Sequence, residues 1–135
     1  MNEKINSLHR YYIWANKMRT DFYNLLSSKP ASHSGDFKGW EIESNMYMSL
    51  WYGLLYVVIE GWQELKLSDR TIDELLNNKN TELLKKFRNG TFHFQEKYND
   101  DRFQKFYEEP STVEWVRNLN REFGRWFLNT LTANK

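Results

Sequence analysis

The stretch Arg88-Asn89-Gly90-Thr91-Phe92-His93 brings a guanidinium, an amide and an imidazole within two helical turns. Together these groups can act on a phosphodiester without a metal. RNA can be cut by its own 2′-hydroxyl attacking the adjacent phosphorus. That step needs a base on the hydroxyl, an acid on the leaving oxygen and positive charge beside the five-coordinate intermediate. An imidazole, with a pKa of about 6.5, serves as base or acid near neutrality. A guanidinium grips phosphate through a planar, bidentate, permanently charged fork, and an amide orients a phosphate oxygen or fixes the imidazole tautomer. His93, Arg88 and Asn89 fill these roles in that order. A plainer reading stands beside this one: Arg88 pairs with Glu82, Glu96 or Glu60, and His93 is a solvated surface side chain. Arg-to-His spacing on its own is a pattern that chance supplies often.

The residues must be carried by helices. Both prolines, Pro30 and Pro110, fall between periodic segments, so the chain can be mostly helical. The first helix is predicted over about Asn2 to Ser28. Ile5, Leu8, Tyr12, Ala15, Phe22 and Leu26 recur at three-and-four spacing there, widened by Met18 and Leu25. A loop rich in Ser and Gly is predicted over Ala31 to Gly39. A second helix, about Trp40 to Leu65, is apolar on every side between Met46 and Ile59, as a helix at the centre of a bundle or between subunits must be. Gly53 and Gly61 would let neighbouring backbones approach it. Ser68 is the expected N-cap of a short helix, about Asp69 to Asn77. The motif helix is predicted over Thr81 to Tyr98, followed by a short helix or turn at Asp100 to Glu108. Ser111 and Glu114 read as a capping box opening a last helix, about Thr112 to Leu131, with Val116, Leu119, Phe123 and Phe127 on one face.

On the motif helix, an advance of about 100° per residue puts Leu83, Phe87, Gly90, Phe94 and Tyr98 on a core-facing stripe. Asn89, His93 and Glu96 fall on the opposite face and Arg88 on the flank. Phe92 lies near Asn89, away from the core. A homodimer burying Phe92 would bring two copies of Asn89 and His93 together.

Composition sets the frame. The 135 residues form a single domain's length, an all-α bundle of four main helices plus short ones over 1–135. Phe 9, Tyr 8 and Trp 6 make 17% of the chain aromatic, more than a small helical domain easily hides, which predicts a subunit interface or pocket. Trp14, Trp62, Trp115 and Trp126 read as core or interface. The net charge of +1 gives no global drive toward nucleic acid or membrane. Cysteine is absent, which removes disulfides, thiolate metal sites and thiol nucleophiles. No metal cluster or cofactor motif is evident. The N-terminal residues lack a signal-peptide layout, and the longest apolar run, about 14 residues, is too short to span a bilayer. A soluble, cytoplasmic protein without membrane contact is the expectation.

Other side chains could support the motif. Glu60, at the end of the apolar run, could hold Arg88 or assist proton transfer, and Glu96 shares a face with His93. Lys85 and Lys86 lie near the motif and could attract RNA. Arg117, Arg121 and Arg125 are four apart on the last helix and could track a phosphate backbone, although Glu114 and Glu122 stand three residues from Arg117 and Arg125 as ordinary ion-pair partners.

The motif and its setting resemble the HEPN superfamily. Its members are small all-helical domains, commonly dimers, many of them metal-independent endoribonucleases of toxin–antitoxin and defence systems. Their hallmark is Arg, a polar residue, three to five further residues and His on a late helix. Arg88-Asn89-Gly90-Thr91-Phe92-His93 matches its short form, and Leu50 to Gly61 is similar to the long buried helix of stand-alone members. The resemblance covers about Trp40 to Leu131. It implies RNA cleavage by Arg88 and His93 with Asn89 assisting, at a site shared by two protomers, and an antitoxin protein as partner. Some members keep the fold and only bind RNA, a nucleotide or a protein. A rival is looser. Tyr11-Tyr12-Ile13-Trp14-Ala15-Asn16 resembles DinB-like bundles, which bind a divalent metal through three His. His9, His33 and His93 lack that family's pair four residues apart on one helix.

Overall fold

Large apolar side chains at helical spacing leave this chain no way to hide them except helix against helix. The computed structural model describes residues 2–28 and 37–133, without the side chains of Phe37 and Lys38. Six α-helices and no strand occur among the described residues. They are α1 (Glu3–Ser27), α2 (Phe37–Glu64), α3 (Arg70–Leu76), α4 (Lys79–Phe92), α5 (Asp101–Glu108) and α6 (Thr112–Ala133). Four are long and two short, as the periodicity predicts. None is long and apolar enough to cross a membrane.

Helix α2 is the central element. It packs against both α1 and α4, and Trp51, Tyr52, Leu55, Tyr56, Val58, Ile59 and Trp62 are buried. It is apolar on every side but not buried on every side: Met46 is exposed and Leu54 and Val57 are half-buried. Helix α6 reaches α2 through large side chains, with Trp62 and Phe123 edge-to-face at 5.6 Å between ring centres. Its predicted face of Val116, Leu119, Phe123 and Phe127 is wholly buried. From α1, Ile5, Leu8 and Ala15 enter the core, while Leu26 remains exposed.

Several local expectations change. Helix α2 starts at Phe37, so Phe37–Gly39 are helical rather than loop. The rest of that predicted loop, His33 included, lies outside the described residues. Gly53 and Gly61 admit side chains, not backbones. A Cβ at Gly53 would lie 2.7 Å from the Phe92 ring, and one at Gly61 would strike Leu8. Asp69, not Ser68, caps α3, accepting from the Ile72 amide at 3.1 Å. Ser68 instead donates to Asp73 at 2.8 Å. The Ser111 hydroxyl makes no capping box. It donates to Glu109 at 2.8 Å and accepts from the buried Asn80 amide at 3.0 Å.

The largest change concerns α4, which ends at Phe92 rather than Tyr98. Gly90 is buried against the ring of Phe103, so α5 crosses directly over it. The chain must therefore reverse between residues 93 and 100, and a continuous helix would carry it away from that contact. Thr91, Phe92, His93 and Phe94 are also all weak helix formers. Leu83, Phe87 and Gly90 keep their predicted core placement, but Phe94 and Tyr98 are 91% and 84% exposed.

Helix α2 closes with a non-glycine Schellman turn. The Leu67 amide donates to the Trp62 carbonyl and the Lys66 amide to that of Gln63, both at 3.1 Å. Lys66 takes the left-handed conformation, φ 56°, which costs a Cβ-bearing residue about 1 kcal/mol. Lys66→Gly should raise the unfolding free energy by about 0.5–1 kcal/mol in denaturant titrations.

Asp73 generates a second prediction. Hydrogen bonds, first from the Trp62 indole (3.1 Å) and then from Ser68 and the Asp69 amide, hold its carboxyl below the usual carboxylate value, against the opposing effects of burial and of the Asp69 charge. A carboxyl depressed in the folded state binds fewer protons there than when unfolded. Its stabilisation is therefore complete above the ordinary value of 3.8 and lost as pH falls through the lower folded value. Melting temperature should drop over that acid range, with a shallower slope in Asp73→Asn.

Candidate functional site

The motif sits on the last turn of α4, and α2 positions it. Tyr52 meets Phe87 at 5.4 Å between ring centres, and Phe92 lies over Gly53. One turn earlier on α4, the Arg88 guanidinium rests on the Tyr56 ring, 4.9 Å from its centre. Tyr56 is buried, and burial, reinforced by the Glu60 charge, raises its hydroxyl pKa against the opposing effect of Arg88. The phenol is neutral at physiological pH.

Arg88 has partners within its own chain. Its Nη1 donates to Glu60 Oε1, and its Nε donates to Asn89 Oδ1 at 2.9 Å. Of the three carboxylates that spacing offered, Glu60 is the partner. The Arg88 side chain is 19% exposed and that of Glu60 47%. The arginine is therefore a partly sheltered cation whose counter-ion faces water.

His93 is placed differently from its helical-wheel position. It is the C-cap of α4, with extended backbone (φ −126°, ψ 132°), and its amide closes the last turn onto the Asn89 carbonyl at 3.1 Å. The ring is exposed and lines an open cavity of about 720 Å³ between α1, α2, the 94–99 segment and α5. Gly90, Thr91, Phe94 and Tyr98 also line it, as does Tyr107, which donates to Asn45 at 3.1 Å. Burial raises the Tyr107 hydroxyl to about 12. Arg88 and Asn89 do not line this cavity. Of its lining residues, Lys97 is cationic and Glu41 anionic, a balance unlike a polyanion track. Within one chain, then, the imidazole opens on a cavity that the guanidinium does not line.

The supporting residues separate likewise. Glu60 holds Arg88, but Glu96 lies beyond the helix end on the exposed 93–99 segment, off the face that a longer helix would have given it. Lys85 and Lys86 are exposed on α4. The arginines of α6 do not form one track. Arg125 is taken by Asp69 at 2.8 Å and Glu122 at 2.7 Å. For Asp69, burial pushes the carboxyl upward, but the Arg125 and Ile72 hydrogen bonds outweigh it and bring the value below normal. Arg117 and Arg121 instead face α1 across a second groove, with Tyr12, Asn16, Arg19, Tyr23 and Asn120. Arg19 lies outside the motif and outside the α6 arginine series. The signal was present as polar side chains at three-and-four spacing on both helices, at 12, 16, 19 and 23 and at 117, 120 and 121. Among the described residues, no group of three His, Asp or Glu side chains is placed to hold a metal ion.

An ion pair with one half-exposed partner contributes little net stability, about 1 kcal/mol or less. Glu60→Gln should therefore shift the denaturation midpoint only slightly. Glu60→Gln should also leave Arg88 more reactive toward phenylglyoxal, read by mass spectrometry of the α4 peptide.

Comparison with family models, with curated proteins and with solved structures gives no match for this chain.

Proposed function

We propose that the chain acts as a HEPN-like homodimer on RNA, cleaving it without a metal at a site assembled from two protomers. The observation that carries this reading is the end of α4. Arg88 and Asn89 are held there as one hydrogen-bonded unit, and His93 stands exposed one residue past the helix. Phe92 (47% exposed) and Phe94 flank it with apolar surface. Because the cavity that His93 lines takes in neither Arg88 nor Asn89, a second copy would complete the set. A two-fold through the Phe92 side supplies that copy, and the exposed aromatic rings are the surface it would bury.

In this reading His93 takes the proton of the 2′-hydroxyl or delivers one to the 5′-oxygen. The 2′-oxygen forms a bond to phosphorus as the bond to the 5′-oxygen breaks, leaving a 2′,3′-cyclic phosphate and a 5′-hydroxyl. Arg88 neutralises the five-coordinate intermediate and Asn89 holds a phosphate oxygen. Glu60 must yield part of its grip on Arg88 when phosphate arrives. Its half-exposed carboxylate has water to turn to. An antitoxin protein would cover the same aromatic surface.

One observation favours a second reading, a HEPN-like dimer that binds RNA, a nucleotide or a protein without cutting. The charge of Arg88 is already answered by Glu60, as in an arginine kept for structure. Total RNA incubated in EDTA separates the two. The enzyme reading expects fragments with cyclic phosphate ends, and a loss of about 100-fold or more in His93→Ala and Arg88→Ala. It also expects a dimer mass in solution, reduced by Phe92→Ser. RNA left intact by the wild-type dimer would leave the binding reading, and a monomer at all concentrations would defeat both.

A further inference from the structure

The groove between α1 and α6 is a concavity of about 590 Å³, large enough for a small ligand. It involves neither the motif nor the proposed dimer face. Its chemistry is set by guanidiniums that lack counter-ions. Arg70, Arg88, Arg102 and Arg125 each have a carboxylate within ion-pair distance. Like Arg10 away from the groove, Arg19 and Arg117 have none among the described residues. Each is instead fixed through Nε by a neutral acceptor. Arg19 donates to Asn16 Oδ1 at 2.9 Å, and Arg117 donates to the Tyr23 hydroxyl at 3.0 Å. Their terminal amino groups stay free for a ligand.

Both guanidiniums lie against one ring, 6.0 and 5.7 Å from the centre of Tyr23. Tyr23 is itself set by Trp51, at 5.8 Å between ring centres. Two like charges on one aromatic ring repel each other, and an anion between them removes that repulsion. Arg121 adds a third cation at the rim, with Glu122 3.5 Å from its Nε. Glu114 acts on Arg117 from beyond ion-pair distance. No carboxylate lines the groove itself. The floor is rigid. Asn120, only 5% exposed, accepts the Trp51 indole N–H at 3.1 Å and its carbonyl accepts the Tyr12 hydroxyl at 3.3 Å.

We infer that the α1/α6 groove binds a small phosphate-bearing molecule, its phosphate bridging Arg19 and Arg117. A phosphate monoester dianion matches two fixed cations in charge and in the number of acceptor oxygens, whereas a carboxylate supplies one charge and two oxygens. The group could belong to inorganic phosphate or to a nucleoside monophosphate.

Calorimetric titration of the full chain with inorganic phosphate and with adenosine monophosphate tests this, with acetate as the monoanion comparison. Saturable binding of phosphate or the nucleotide is expected below about 10 mM, at least about tenfold weaker in Arg19→Gln and in Arg117→Gln. Arg70→Gln on α3 should bind as wild type. Equal affinity for the two ligands assigns the site to phosphate itself, and tighter nucleotide binding assigns it to the nucleotide. Protection of Arg19 and Arg117 from phenylglyoxal by phosphate, mapped by mass spectrometry on the wild type, gives a readout that needs no variant. Absence of saturable binding, binding unchanged in both variants, or protection no greater than with acetate would overturn the inference. So would binding of RNA at Arg19 and Arg117 without binding of either small phosphate.

Discussion

Every buried indole in a helical bundle brings one N–H that must find an acceptor away from water, and this constraint organises the chain. Trp51 on α2 gives its N–H to Asn120 on α6, Trp62 on α2 gives its own to Asp73 on α3, and Trp115 on α6 gives its own to the Leu75 carbonyl at the end of α3. Three hydrogen bonds thus fix α2, α3 and α6 to one another and set their register. An apolar contact tolerates sliding, while a hydrogen bond of about 3 Å does not. The aromatic richness of the chain is therefore a set of addresses as well as bulk.

The same economy of polar partners shapes both candidate sites. At the end of α4, Arg88 is satisfied from three directions, by Glu60, Asn89 and the face of Tyr56. Across α1 and α6, Arg19 and Arg117 are satisfied at Nε alone. The first is a cation with its partner already present and the second a pair whose partners are neutral. Chemistry at α4 thus requires that something displace or share Glu60, whereas the groove presents its charge outright.

Much of the fold was legible in the sequence because it rests on local periodicity. The faces of α1 and α6, the apolar centre of α2 and the core placement of Phe87 follow from three-and-four spacing. The end of α4 was not legible. Its cause is tertiary: Phe103, thirteen positions beyond Gly90, crosses over that glycine and forces the reversal that exposes His93, Phe94 and Tyr98. The caps differ from expectation for a related reason: Ser68 and Ser111 have suitable side chains but donate them to Asp73 and Glu109. At the site, spacing nominated Glu60 as one of three partners for Arg88, and only the packing of α2 on α4 chooses it. The pairing of Arg19 with Arg117 joins helices nearly a hundred residues apart, beyond the reach of any local pattern.

The reversal between α4 and α5 has a mechanical meaning. No residue from 91 to 99 is buried, and the segment is fastened by surface links: Gln95 to the His93 carbonyl, and Arg102 to Gln95 and Asp100. Its neighbours, Phe87 and Phe106, are locked in the core. Free energies of local opening must therefore be graded, low along this strip and rising steeply one helical turn to either side. His93 stands at that boundary, its amide fastened to a helix and its ring on the yielding side, so a visiting molecule could reorient the imidazole without disturbing the bundle that carries it.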